Sequence, residues 1–285
     1  MGSSSEKGLT RMERGVGLAI WNFAAGTLAQ RIRRCAAEGF DFISLIGRDA
    51  ASLSRGQCPD VEEALLETSL AVTIHAGMMS GCDLVPAEIL LDDFKSFIDW
   101  HDRTGRLACV HYDAARSRGG EFLSSHMRQV LSEILECSAG AGVKVGVEDW
   151  PITQEQFAEC EDLSRYEHFG LLIDLGHLNI RLRRRYGLDS PFPVDAARDF
   201  FRQLPLPVNE LHLHNNNGER DQHAPLSNGN ADMSTLARIL AEAGTTCLAT
   251  VEIVPAWSGI DEDQGWREAC AAAGFWRQAF VRPIS

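Results

Sequence analysis

Short apolar runs of five to seven residues recur along the chain, separated by longer amphipathic stretches. The runs are "GVGLAIW" (15–21), "FDFISLI" (40–46), "LAVTIH" (70–75), "LACVH" (107–111), "VKVGVE" (143–148), "GLLID" (170–174), "NELHLH" (209–214) and "CLATVE" (247–252). Their length and β-branched content predict strands. Apolar positions at helical spacing predict helices over 27–38, 61–69, 87–103, 121–139, 153–163, 194–203, 232–243 and 264–280. Eight strand–helix units in 285 residues predict an α/β fold, a closed (β/α)8 TIM barrel forming a single domain over 13–285. Residues 1–12, polar and Ser-rich, read as a flexible tail. A doubly wound open sheet would carry a Gly-rich phosphate loop after its first strand, and the sequence has none there.

Alternation along the strands sharpens this picture. Side chains point to opposite faces in turn, so Val251 and Ile253 face the helices while Thr250 and Glu252 face the barrel interior. The same parity puts His75, His111, Glu148 and Asp174 inside, each as the last residue of its run. His212 and His214 share the inner face of the seventh strand, with His214 nearer the mouth and His212 read as one layer deeper. In such barrels the active site forms at the C-terminal strand ends, where these groups converge.

Glu148, Asp174, His214 and Glu252 come from four adjacent strands. Three carboxylates in one mouth repel each other unless a cation sits among them, and this donor set suits a divalent metal. A second ring consists of His75, His111, His177, Asp221 and His223. His177 follows Asp174 in "DLGH", where a tight turn at Gly176 would bring both side chains to one centre. Imidazoles favour Zn or Mn over Mg, with Co also compatible. Four carboxylates with neutral imidazoles carry −4, so one divalent ion leaves −2, and two or three leave 0 to +2. The last condition would welcome a phosphate and permit metal-assisted displacement. The expectation is therefore one to three ions per chain.

Composition narrows the partners. Acidic residues outnumber basic ones 40 to 27, for a formal net charge of −13, which argues against a general grip on nucleic acid. Eight dispersed cysteines, with no C-x-x-C pair, fit reduced thiols. The sequence has neither a transmembrane run nor a signal-like apolar segment, which predicts a cytoplasmic protein. Trp21, Trp150 and Trp257 lie at or just past strand ends, as candidates to stack on a substrate ring or to pack the rim. Arg48 and Arg181 are candidate anion contacts, although "RLRRR" also reads as a solvated helix face. No G-x-S-x-G or Walker loop points to covalent or nucleotide chemistry.

The segments "VGVEDW", "LLIDLGH", "LHLHNNNGERDQH…NGNAD" and "VEIVP", in this order, resemble the xylose isomerase-like TIM-barrel superfamily, which includes sugar-phosphate isomerases and epimerases and the endonuclease IV (AP endonuclease family 2) group. The resemblance implies one metal held by Glu148, Asp174, His214 and Glu252 in the isomerases, with the two glutamates shuttling protons and His177 touching the substrate. In the endonuclease IV-like group it implies a three-metal cluster on His75, His111, Glu148, Asp174, His177, His214, Asp221, His223 and Glu252.

The complete second ring makes a multinuclear-metal phosphoesterase on a small phosphorylated molecule the leading expectation, with Glu148 and Glu252 as catalytic ligands. The alternative is a single-metal sugar or sugar-phosphate isomerase/epimerase in which Glu148 and Glu252 form the acid/base pair. A third reading is a non-catalytic metal- or metabolite-binding barrel. In each, the partner is a small phosphorylated or sugar-like molecule.

Overall fold

A computed structural model describes residues 13–80, 87–115, 125–148 and 156–281. The expected tail, Trp150 and the other positions outside these ranges lie beyond the described residues. Eight parallel strands close into a barrel in sequence order. They are β1 (Gly15–Ala19), β2 (Phe42–Ile46), β3 (Ala71–Ser80), β4 (Leu107–Ala115), β5 (Lys144–Glu148), β6 (Phe169–Asp174), β7 (Val208–Leu213) and β8 (Leu248–Val251). Closure pairs β1 with β8, Gly17 lying opposite Thr250. The described helices are α1 (Leu28–Ala37), α2 (Gly47–Ser54), α3 (Pro59–Thr68), α4 (Ala87–Thr104), α5 (Ser125–Ala141), α6 (Leu175–Tyr186), α7 (Val194–Arg202), α8 (Met233–Glu242), α9 (Pro255–Ser258) and α10 (Glu262–Trp276).

The eight strands stand where the apolar runs predict them. The helical layer differs in several places, among them a short additional helix after β8, Pro255–Ser258. Of the α-helix expected over 153–163, the described residues 156–163 lie in a 3-10 segment, Gln156–Arg165. Two helices rather than one follow β2, and two follow β6. In both cases the first helix starts on the residue directly after the strand. Gly176, expected in a tight turn, instead lies in the first turn of α6.

The strand alternation produces two separate apolar regions. Odd-parity residues such as Val145, Val147, Leu171, Ile173, Leu211 and Val251 join the helices in one continuous core. Phe42, Cys109 and Leu248 form a small plug inside the barrel. Above the plug lies a polar layer of Thr73, His111, Glu210 and Thr250, all at most 1% exposed. Above that come His75, Glu148, Asp174, His212 and Glu252 at the mouth. Asp174 is level with His212 in the β6–β7 register, and His212 with Thr250 in the β7–β8 register.

Glycines make space for the rings inside. A Cβ on Gly17 would collide with the Phe42 ring, and one on Gly146 with the His111 ring. Barrel interiors are close-packed, so an added methyl there forces a shift rather than filling a void. Gly146→Ala is therefore expected to destabilise the fold by about 1–3 kcal/mol. Urea unfolding measures this, and an unchanged midpoint would refute the packing described.

Candidate functional site

The mouth is built from the ends of six strands, the first turn of α6 and the loop after β7. Glu148 closes β5, Asp174 closes β6, His212 lies on β7, and Glu252 directly follows β8. All four are at most 8% exposed. His75 and Asp113 come from β3 and β4, with His75 Nε2 2.7 Å from Asp113 Oδ1 and 3.7 Å from Glu148 Oε2. His177, on the first turn of α6, sets Nδ1 3.2 Å from Glu148 Oε1 and Nε2 3.1 Å from Asp221 Oδ2. His212 Nδ1 lies 2.8 Å from Glu252 Oε2 and 3.9 Å from Asp174 Oδ2. His214 Nε2 lies 2.8 Å from Asp174 Oδ1.

Local structure explains these placements. Asp174 is the N-cap of α6, accepting from His177 N–H at 2.8 Å, so one carboxylate both starts the helix and faces the mouth. Gly176 is required next to it, because a Cβ would meet the His214 ring. The loop after β7 is braced by asparagines. Asn215 accepts from the Asn216 and Ala231 amides and donates to the Leu226 and Ala231 carbonyls. Asn216 donates to the Gly176 carbonyl and accepts from Gly218 N–H and from Asn179 Nδ2, tying the loop to α6. His223, at the far end of the loop, has φ +43°, a left-handed conformation uncommon for a non-glycine residue. Two bonds hold it there: its Nδ1–H donates to the Glu252 carbonyl at 2.9 Å, and its own carbonyl accepts from Val254 N–H. This leaves Nε2 facing Asp221 Oδ2 at 3.2 Å, with the ring stacked on His214 at 3.9 Å between centroids.

The electrostatics follow from crowding. Burial opposes charge on each imidazole, but the carboxylates outweigh it. Asp113 raises His75 to about 10, Glu252 raises His212 and His223 to about 9, and Asp174 raises His177 to about 12. Burial also works against ionised Glu252, yet His212 and His223 hold it at about 2. Glu148 goes the other way, pushed up to about 7 by burial and by Asp113 against the pull of His177. Protons on the imidazoles thus balance the carboxylates.

The donor chemistry fits a divalent cation. Ligand atoms of Asp174, His212 and Glu252 lie within 4.8 Å of one another, as do those of Glu148, Asp174 and His177. The same holds for His177, His214, Asp221 and His223, and for His75, Asp113 and Glu148. Such spacing suits oxygen and nitrogen atoms sharing an ion at about 2.0–2.2 Å each.

Eight of the nine residues expected as ligands gather at this mouth. His111 is placed lower, its Nδ1 3.1 Å from Glu210 Oε2 and its Nε2 3.1 Å from Cys109 Sγ. Both of its ring nitrogens are thereby engaged inside the barrel. His212, expected one layer deeper, is level with Asp174 and touches Glu252. Asp113 and Glu210 escaped the sequence reading, although both share the inward parity of His111 and His212.

Of the candidate substrate contacts, Trp21 sits 5.8 Å from the His75 ring, and Trp257, 63% exposed, packs edge-on to His223 at 5.3 Å. Arg181 lies over the Phe200 ring of α7, and Arg48 is exposed beside Asp49.

A family model described as xylose isomerase-like TIM barrel matches residues 32–278. The chain belongs to this family. A D-tagatose 3-epimerase-like protein of known structure is similar to this xylose isomerase-like barrel with a TM-score of 0.67 and 18% identity, over 93% of this chain and 96% of that one. The D-allulose 3-epimerase from Methylomonas sp. superimposes with a TM-score of 0.66 and 13% identity, over 94% of this chain and 98% of that one. An uncharacterized protein of Methanocaldococcus jannaschii, MJ1311, is 26% identical over 129 residues, which are 43% of this chain and 41% of that protein.

The asparagine bracing yields a direct test. Asn216→Ala would strip the side-chain partner from Gly176 O and from Gly218 N–H, while Asn179 Nδ2 keeps Asn230 Oδ1. The expected cost is about 1–3 kcal/mol per buried group left unsatisfied. Chemical denaturation checks it, and a loss below about 0.5 kcal/mol would show that the loop does not depend on this residue.

Proposed function

We propose that this xylose isomerase-like barrel is a divalent-metal-dependent sugar epimerase or isomerase that moves a proton at the carbon next to a ketose carbonyl. The observation that carries this reading is the pair of buried glutamates, Glu148 at the end of β5 and Glu252 directly after β8, with Asp174 of β6 between them. Each is held by an imidazole from a neighbouring element, Glu148 by His177 and Glu252 by His212. The similarity to proteins named as 3-epimerases supports the same chemistry and points to C3 of a ketohexose.

Glu148, Asp174, His212 and Glu252 would hold the cation, which supplies Lewis acidity to the sugar oxygens. The chain's own residues do the rest. One glutamate carboxylate takes the C3 proton from one face of the sugar, giving an enediol(ate). The other glutamate returns a proton to C3 from the opposite face and inverts the centre. The roles exchange for the reverse reaction. His177 and His212 fix the two carboxyls, and each glutamate exchanges its proton with solvent between turnovers. Trp21 and Trp257 flank the His75 and His223 sides of the mouth and offer flat apolar faces to a sugar's C–H surface.

The phosphoesterase expectation rested on a complete nine-residue set. With both nitrogens of His111 turned to Glu210 and Cys109, that set is not assembled at the mouth, and the epimerase reading is preferred. His177, Asp221 and His223 then serve as a brace and substrate contact beside a single ion. Incubation of a ketohexose panel in D2O with Mn2+ is expected to place deuterium at C3 and yield the C3 epimer. Glu148→Gln and Glu252→Gln should each lower exchange by about 10²–10⁴-fold. Absence of exchange across the panel, in protein shown to bind metal, would contradict the proposal and favour a non-catalytic binding barrel.

A further inference from the structure

A cavity of about 400 Å3 next to the mouth has no part in the chemistry just described. It is bounded by the start of α2, the end of β3, α4 and Tyr112 of β4. Ala76 and Tyr112 belong to the outward-facing core, so the cavity lies on the helix side of the strands. Ile46, level with His75 in the β2–β3 register, also lines it, which makes cavity and mouth neighbours.

The walls are apolar, formed by Ile46, Ala76, Leu90 and Phe97. The polar groups around them are mostly donors. Tyr112 is fully buried, and its hydroxyl has no hydrogen-bond partner. A phenylalanine would pack in the same place without the cost of an unsatisfied hydroxyl. Helix α2 starts at Gly47 directly after β2, and its N-cap is Ile46, a side chain that accepts nothing from the free amides of the first turn. Arg48 adds an exposed guanidinium, its Nε 3.4 Å from Asp49 Oδ1. Asp93, the acid in the lining, is taken by Arg55, whose Nη2 lies 2.6 Å from Asp93 Oδ1.

We propose that this cavity binds a small carboxylate with an apolar tail. The carboxylate sits at the start of α2, within reach of Arg48 and the Tyr112 hydroxyl, and the tail lies among Ile46, Leu90 and Phe97. An anion there meets the free amides and the positive end of the helix, and a hydroxyl donating to it makes a charge-assisted bond. A neutral apolar molecule would leave the Tyr112 hydroxyl unsatisfied. An ammonium would face donors, with the charge of Asp93 already matched by Arg55. The volume is in the range of small-molecule sites. None of the lining residues is among the groups that converge at the mouth, so the assignment does not depend on the epimerase reading.

The test is calorimetric titration of phenylacetate, hexanoate and benzoate into wild type, Tyr112→Phe and Ile89→Trp, with amide NMR spectra recorded alongside. Phenethyl alcohol and phenethylamine serve as uncharged and cationic comparators. Tyr112→Phe removes a hydroxyl that bonds nothing in the protein, so it should fold as wild type does. Ile89→Trp places an indole in the cavity from the exposed side of α4, where Ile89 is 48% exposed. At least one carboxylate is expected to bind wild type saturably, shifting the amides of Gly47, Arg48 and Gly77. Each variant should weaken that binding about 10-fold or more, and both comparators should bind more weakly than the acid by a similar factor. The proposal is overturned if none of the three carboxylates binds saturably, or if the alcohol binds as tightly as the acid. Unchanged affinity in either folded variant also overturns it, because the carboxylate would then lie elsewhere, as among the imidazoles of the mouth. Should Tyr112→Phe fail to fold, Ile89→Trp decides by the same criterion.

Discussion

Mutual repulsion among buried carboxylates is the constraint around which the barrel mouth is organised. Glu148, Asp174 and Glu252 converge at one end of a closed barrel, with Asp113 and Asp221 at its edge. Such a group is stable only if positive charge is interleaved with it. In the protein alone that charge is protons. His75, His177, His212 and His223 each face a carboxylate and are each raised above the ordinary imidazole range by it. A divalent ion would do the same work with fewer groups and would displace protons as it did so.

The barrel itself determines which groups meet. Its interior is stacked as an apolar plug of Phe42, Cys109 and Leu248, a polar layer centred on Glu210, and the mouth. Glycines at 17, 146 and 176 leave room for the rings of Phe42, His111 and His214. β7 and the residue directly after it contribute Glu210, His212 and then His214 at alternate positions. The loop beyond β7 is held to α6 through Asn216, and His177, Asp221 and His223 are joined through the Asp221 carboxylate.

Much of this was legible in the sequence because strand alternation is a strict geometric rule. The parity of "TVEIV" and "LLID" placed Glu252 and Asp174 inside, and the structure agrees. What parity cannot supply is height along the barrel axis. His111 is drawn to Glu210 and Cys109 inside the barrel, while His212 meets Glu252 at the mouth, the reverse of the order read from the ends of the apolar runs. Asp113 and Glu210 were passed over for related reasons. Asp113 follows the expected end of its strand, which in fact continues to Ala115, and Glu210 lies inside an apolar run where an acid looks like an exception rather than a site. The start of α6 directly at Leu175 was hidden by Gly176, which signals a turn in isolation but here makes space for a ring.

In the metal-free protein the imidazole protons of the mouth occupy the place of a cation. Calorimetric titration of Mn2+ into chelator-stripped protein, in two buffers of different ionisation enthalpy, measures this directly. The raised imidazole of His212, at about 9, must lose a proton for its Nδ1 to bind metal. Binding is therefore expected at one ion per chain, with net release of protons and an affinity that rises as pH increases from about 6 to about 8. Binding with no buffer-dependent proton release, or no binding at all, would contradict the account.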